Sequence, residues 1–190
     1  TERELLVLLP KPLDRRGERR RSPLLEAAYL ARRLAEAGLK GLVFAGARKS
    51  AELIARYAAH PLVRPYRAGY TARERRRLEA DLKEGRVRVL VSTSALELGV
   101  DIGELDAVVL VGYPGSTAAF WQRAGRAGRG ERRALLVYIP REDPMDEYFL
   151  HRPALLLESP PEEAVADPQN PVLCPLHLHA AAREKPLLAE

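Results

Sequence analysis

The sequence predicts an α/β domain: a parallel sheet with helices on both faces, followed by a Pro-rich, mainly helical or irregular C-terminal extension. Three observations lead there. Short, nearly continuous apolar runs alternate with helical runs through residues 1–140, the pattern of strands buried on both faces. Helix-start and helix-stop residues bracket the segments between those runs. Stretches rich in Gly, Ser, Thr and Arg come just after the apolar runs, where such sheets carry their functional loops.

The elements follow in order. "LLVLLP" (5–10) is a short apolar strand, and the arginine-rich loop "KPLDRRGERRR" follows it. Ser22-Pro23 starts a helix, with the cap before a proline at the first helical position. Leu24, Ala27, Ala28, Ala31 and Leu34 keep helical spacing up to Gly38, a stop. "GLVFAG" (41–46) reads as a buried strand, Lys49 to Ala59 as a helix, and "VRPYRAGY" (63–70) as strand and loop. Thr71 and Glu74 form a capping box for a charged helix that Gly85 ends. "VRVLVST" (87–93) and "DAVVLVG" (106–112) are strands. Ser116 caps a helix running through "WQRAGRAGRGERR" (121–133), and "ALLVYIP" (134–140) is the last strand.

Residues 141–190 differ. They hold eight of the fifteen prolines, and Asp143-Pro144, Ser159-Pro160 and Asn170-Pro171 each resemble a helix start. They read as an arm packed on the domain 1–140 or leading to a further one. Charge divides the same way. Residues 141–190 carry 4 Lys+Arg against 10 Asp+Glu, whereas residues 1–140 carry 27 against 16. A basic body suits a polyanionic partner. Arginine outnumbers lysine 26 to 5, and its planar fork suits phosphate, although biased genome composition accounts for the excess equally well. No apolar run approaches the roughly 18 residues of a membrane span, and nothing at the start reads as a signal peptide. The single Cys174 excludes an internal disulfide and fits a reduced, cytoplasmic setting. Cys174, His177 and His179 fall short of the four ligands of a structural zinc site, so no metal site is expected.

On a continuous helix, Gln122, Arg126 and Arg129 lie at i, i+4 and i+7 and share one face. Trp121, Gly125 and Gly128 share another, about 100° round the axis. Two glycines on one stripe suggest close approach to a strand or loop. The spacing alone also allows an ordinary basic surface helix. Ser92, Thr93 and Ser94 cluster at a strand's carboxyl end, where an anion can meet hydroxyls and backbone N–H groups. Ser94 could equally be a helix cap. Gly99 and Asp101 bracket a turn whose carboxylate could accept ribose hydroxyls or simply shape the turn. "FAGARKS" (44–50) and "YRAGY" (66–70) suit backbone contact with a nucleic-acid strand, or are tight turns. There is no G-x-x-x-x-G-K-[ST] phosphate loop, no Asp-Glu pair after an apolar strand to hold Mg²⁺, and no G-x-G-x-x-G.

Taken together, these loops resemble the second RecA-like domain of superfamily 2 helicases. "GLVFAGARKSAE" resembles motif IV, "YRAGY" the loop before motif V, "STSALELGVDIG" motif V, and "QRAGRAGR" motif VI. "ALELGVDIG", "GYPGS" and the tail "NPVLCPLHLHAAAREKPL" look most like bacterial and fungal DNA helicases with a cysteine-rich C-terminal domain, the mitomycin-repair helicases among them. The resemblance implies roles. Arg129 is the arginine finger, Arg126 also faces the γ-phosphate, and Gln122 couples that contact across the cleft. Gly99 and Asp101 lie near ribose and phosphates. Phe44, Ala45, Gly46, Arg48, Arg67, Gly69 and Thr93 line the nucleic-acid track. Arg123 and Arg132 match no required position and read as surface charge.

ATP and Mg²⁺ are then held mainly by an upstream P-loop RecA-like domain. The partners are that domain and DNA, as a single strand or a duplex junction, with no membrane. The function implied is the C-terminal motor domain of an ATP-dependent helicase acting in DNA repair, and the chain alone is expected to be inactive. A nucleic-acid-binding module without ATPase role, or a remodelling translocase that does not unwind, remain alternatives.

Overall fold

The computed structural model describes residues 3–14, 16, 20–97, 100, 102–128, 133–162, 167 and 169–185. Six strands form one sheet: β1 (Arg3–Val7), β2 (Gly41–Phe44), β3 (Val63–Tyr66), β4 (Val89–Ser92), β5 (Ala107–Val111) and β6 (Ala134–Ile139). Their order is β1-β6-β5-β2-β4-β3, and every neighbouring pair is parallel. The helices are α1 (Pro23–Glu36), α2 (Arg48–Ala58), α3 (Ala72–Lys83), α4 (Thr117–Ala124), α5 (Pro144–His151), α6 (Leu155–Glu158) and α7 (Leu173–Glu184).

The central strands are apolar throughout because both faces are covered. Side chains alternate between two cores, as a period of two demands. Leu42, Phe44, Leu90, Val108, Leu110, Leu136 and Tyr138 face one core with Leu82, Phe120, Phe149 and Leu156 from the helices. Val43, Val89, Val91, Val109, Val111, Val137 and Ile139 face the other, against the alanine-rich face of α1 and Ala51, Ile54 and Ala58 of α2. Each fully buried Leu, Ile or Phe contributes about 1.5–3 kcal/mol.

Most of the helix starts read from the sequence are present; Ser159-Pro160 is not one, since Ser159 closes α6 as its C-cap and residues 160–162 are not helical. Ser22 accepts from the Leu24 N–H, and Thr71 with Glu74 closes a reciprocal capping box. Asp143 caps α5, accepting from Met145 and Asp146. The strands are shorter than the apolar runs: β2 ends at Phe44 and β4 at Ser92. The proline-rich segment is not merely an appendage, since Asp146, Phe149 and Leu156 are buried and the latter two belong to the first core. By contrast, α7 buries none of its residues.

One expectation needs correction. The helix capped by Ser116 does not run through residues 121–133; it stops at Ala124. Gly125 caps it, with its N–H on the Trp121 carbonyl at 2.7 Å. Arg126 and Ala127 continue as single turns, bonding to the Arg123 and Ala124 carbonyls. Gly128 then takes φ +68°, a left-handed conformation that terminates helices and suits glycine. The two glycines therefore share no stripe. Among the described residues nothing from a strand approaches Gly125, whereas Gly128 donates to the Leu105 carbonyl at 3.1 Å and docks on the segment before β5.

Candidate nucleotide and nucleic-acid interface

The sheet order sets the carboxyl ends of β5, β2 and β4 side by side. The loops after them therefore meet, although they are far apart in sequence. They enclose a pocket of about 260 Å³ lined by Ala45 and Gly46 after β2, Thr93 and Ser94 after β4, and Gly112, Tyr113, Pro114 and Gly115 after β5. Val111 and two cations, Arg123 from α4 and Arg141 beyond β6, also line it.

Of the residues assigned to the nucleic-acid track, Ala45, Gly46 and Thr93 line this pocket, with Gly46 exposed and Thr93 half-buried. Phe44 and Ala45 are buried, so they can offer a strand their backbone but not their side chains. Arg48 is exposed at the start of α2. Arg67 and Gly69 follow the edge strand β3 and lie outside the pocket lining. Arg67 pairs with Glu52 and sits 4.9 Å from the Tyr70 ring centroid. The hydroxyl cluster is only partly available. Ser92 is fully buried, its Oγ without a hydrogen-bond partner among the described residues, while Ser94 is exposed and opens a one-turn 3₁₀ segment (Ser94–Leu96). Across the sheet from Ser92, Tyr66 donates to Glu79 Oε1 at 2.6 Å; burial first, and that carboxylate second, push its hydroxyl up to about 12.

Motif VI grips motif V. Arg126, 9% exposed, donates from Nε and Nη2 to the Glu97 carbonyl at 3.2 and 2.8 Å, and from Nη1 to the Val100 carbonyl at 2.6 Å. Arg123 takes the same residue by its side chain, with Nε and Nη2 each 3.1 Å from Glu97 Oε2. Its guanidinium also lies 5.5 Å from the Phe44 ring centroid. Arg123 is thus not surface charge: its side chain is 12% exposed and joins motifs IV, V and VI. Helical spacing missed this because α4 ends one residue later. For the same reason the shared face of Gln122 and Arg126 is not formed, and Gln122 is exposed while Arg126 is buried. Gly99, Asp101, Arg129 and Arg132 lie outside the described residues.

Three further residues were not singled out in the sequence. Asp146 is fully buried and accepts from the Tyr113 N–H at 2.6 Å, the Tyr138 hydroxyl, and Arg141 Nε at 3.3 Å. Burial, then Asp146, push the Tyr138 hydroxyl well above the usual phenol range. Arg141 crosses the sheet's carboxyl edge between two glycines. A Cβ on Gly112 would lie 2.1 Å from its Nε, and one on Gly46 3.3 Å from its Nη1. Glu162 returns from the C-terminal segment to the start of α4, accepting the Thr117 N–H at 2.6 Å and the Ala118 N–H at 3.0 Å. The Ala118 and Thr117 amides hold its carboxyl down to about 2. The signal for Asp146 was its position three residues into a capped helix, but its partners come from two other elements.

Comparison with known proteins shows the family. Residues 24–131 match the helicase conserved C-terminal domain. The ATP-dependent helicase YprA of Bacillus subtilis is 38% identical over 96% of this chain, which covers 25% of YprA. The ATP-dependent helicase hrq1 of Schizosaccharomyces pombe is 37% identical over 88% of the chain and 17% of hrq1. The chain therefore spans about a quarter or less of these relatives. Among solved structures, the DUF1998 helicase MrfA bound to DNA and AMPPNP superposes with a TM-score of 0.82 at 36% identity, over 96% of this chain and 26% of that one. The DEAD-box protein SrmB of E. coli matches at TM-score 0.65 and 20% identity, over 88% and 92% of the two chains, a likeness of fold alone. With a parallel RecA-like sheet and motifs V and VI packed together at its carboxyl edge, the chain belongs to the helicase conserved C-terminal domain family.

Proposed function

We propose that the chain is the C-terminal motor domain of an ATP-dependent DNA helicase or translocase. The supporting observation is the hold of Arg126 on the Glu97 and Val100 carbonyls. It ties the arginine segment to the loop that begins at Thr93. A guanidinium fork of this kind suits a phosphate partner, because its bonds to an anion are charge-assisted and stronger than those to the Glu97 and Val100 carbonyls. Mg²⁺ finds no such fit: among the described residues no group of three or more His, Cys, Asp or Glu side chains is placed to hold a metal. In this reading the metal belongs with the P-loop on a preceding RecA-like domain.

ATP supplies the phosphoanhydride bond whose cleavage drives the motor. This chain's residues act around it. Arg126 and Arg129 offset charge developing on the γ-phosphoryl group, and arginine fingers in general are worth roughly 10³–10⁵ in rate. Gly99 and Asp101 orient the ribose and phosphates, and Gln122 links the arginines to the facing domain. On leaving the Glu97 and Val100 carbonyls, Arg126 frees the motif V loop, so cleft closure is felt at Thr93. Thr93, the backbone from Phe44 through Ala45 and Gly46 to Arg48, and Arg67 with Gly69 hold one strand of DNA. The proposal extends to DNA repair in a cytoplasmic setting, which the resemblance to mitomycin-repair helicases supports.

The test joins this chain to its P-loop domain. Arg129→Ala should lower DNA-stimulated ATP hydrolysis by about 10³-fold or more while DNA binding survives. Undiminished turnover sinks the assignment.

A further inference from the structure

Among the described residues, the pocket at the carboxyl ends of β2, β4 and β5 is lined by two arginines and by no carboxylate. Both arginines do have acidic partners. Arg123 pairs with Glu97, and Arg141 with Asp143 at 2.7 Å and Asp146 at 3.3 Å. Those three carboxylates are absent from the lining. The cationic edges of the guanidinium groups therefore face the pocket while the counter-charges stand behind them.

Arg141 is also aimed. Its Nε is held by Asp146 and its Nη2 by Asp143, while Nη1 has no hydrogen-bond partner among the described residues. That free nitrogen lies beside Gly46. Asp146 is itself fixed by the Tyr138 hydroxyl and the Tyr113 amide, in a fully buried site. Burying a carboxylate is costly unless its partners are all in place. Here every partner belongs to the frame that holds the Arg141 guanidinium. The slot it occupies requires glycine at 112, where φ is +82° and a Cβ would overlap Arg141 Nε.

We propose that Arg141 and Arg123 bracket a subsite for one phosphodiester group of a DNA strand, and that buried Asp146 is the positioning residue for Arg141. Thr93 and Ser94 hydroxyls and the backbone at Gly46 complete the oxygen contacts. A guanidinium can meet two phosphate oxygens at once, which the planar fork favours over a lysine. The inference rests on the DNA-track reading given above and adds residues that neither motif IV nor motif V contains.

The experiment measures binding of fluorescein-labelled oligodeoxythymidylate to the 190-residue chain by anisotropy, from low to moderate KCl. Arg141→Ala should weaken binding several-fold and flatten the slope of log K against log[salt] by about 0.7, the value for one phosphate contact on a single strand. Asp146→Asn separates positioning from simple Coulomb attraction. It removes a negative charge, so attraction alone predicts tighter binding, whereas loss of aim predicts weaker binding. Circular dichroism checks folding, and Arg141→Gln, which keeps an N–H for Asp146, decides if the alanine variant unfolds. Unchanged affinity and slope in the folded Arg141 variants, with binding still weakened by Arg48→Ala and Thr93→Val, overturns the subsite and leaves the track standing. If no variant changes binding, or if the unmodified chain shows none at low salt, the track reading falls and the subsite with it. Inorganic phosphate that displaces the oligonucleotide no better than chloride of equal ionic strength supports a site for DNA phosphate; phosphate that displaces it far better than chloride from the unmodified chain, but not from Arg141→Ala, marks a site for free phosphate and overturns the DNA subsite.

Discussion

Arg126 holds Glu97 by its carbonyl, at 3.2 and 2.8 Å, while three residues earlier in the chain Arg123 holds the same glutamate by its carboxylate at 3.1 Å. One residue of motif V is thus gripped by two arginines of motif VI. Removing either grip should have different consequences. Arg126→Ala leaves the Glu97 and Val100 carbonyls short of their donors, a cost of about 1–3 kcal/mol. Arg126→Lys should recover little, because an ammonium cannot reproduce the fork. Urea denaturation of the chain reads both; a lysine variant as stable as the wild type would contradict the fork.

Arg123→Ala should cost less in stability than Arg126→Ala, since Glu97 can turn its carboxylate, 13% exposed, toward water. The expected loss is about 1 kcal/mol, at the upper end for partly exposed ion pairs. A double-mutant cycle with Glu97→Gln measures the coupling, and a null coupling energy would remove the ion pair from the account.

Glu162 makes stability depend on pH through α4. Its carboxyl lies near 2 in the folded chain against an ordinary 4.5. A depressed carboxyl contributes stability that is fully present above the unfolded value and is lost as pH falls through the folded one. The contribution should therefore fade between about pH 4.5 and 2. Thermal midpoints of wild type and Glu162→Gln should differ at neutral pH and converge across that window. Curves that stay parallel would show that Glu162 does not hold the Thr117 and Ala118 amides in solution.

Gly112→Ala places a methyl group 2.1 Å from Arg141 Nε at a left-handed φ of +82°. The backbone strain alone costs about 1–2 kcal/mol. Arg141→Ala in the same chain should relieve the overlap but not the strain, so the two substitutions should be less than additive. Strict additivity by chemical denaturation would mean that the guanidinium does not occupy that slot.

The 190-residue chain by itself should show no micromolar affinity for ATP, because its described residues offer arginine donors but no metal site. Isothermal titration checks this. Micromolar binding by the lone chain would contradict a nucleotide site shared with another domain.

Much of this was legible in one dimension. The strands announced themselves because a sheet covered on both faces needs uninterrupted apolar residues, as in Val89–Ser92 and Ala107–Val111. The caps at Ser22, Thr71 and Asp143 were legible because a cap acts within three residues of itself. Motifs V and VI were legible because each is a contiguous stretch. The end of α4 was not. Residues 121–128 keep helical spacing, yet the turn at Gly128 is held by Leu105, which no local pattern reveals.

The sequence by itself therefore determined the order of strands and helices and the caps at Ser22, Thr71, Ser116 and Asp143. Those properties depend on neighbours within a few residues. Tertiary structure alone decided that Arg123 packs against Glu97 and Phe44, that Asp146 bonds to Arg141, and that Glu162 caps α4 from 45 residues away. These pairings exist only because the parallel sheet brings the carboxyl ends of β2, β4, β5 and β6 to one edge. A buried charge there is stable only with partners that the fold delivers from elsewhere in the chain.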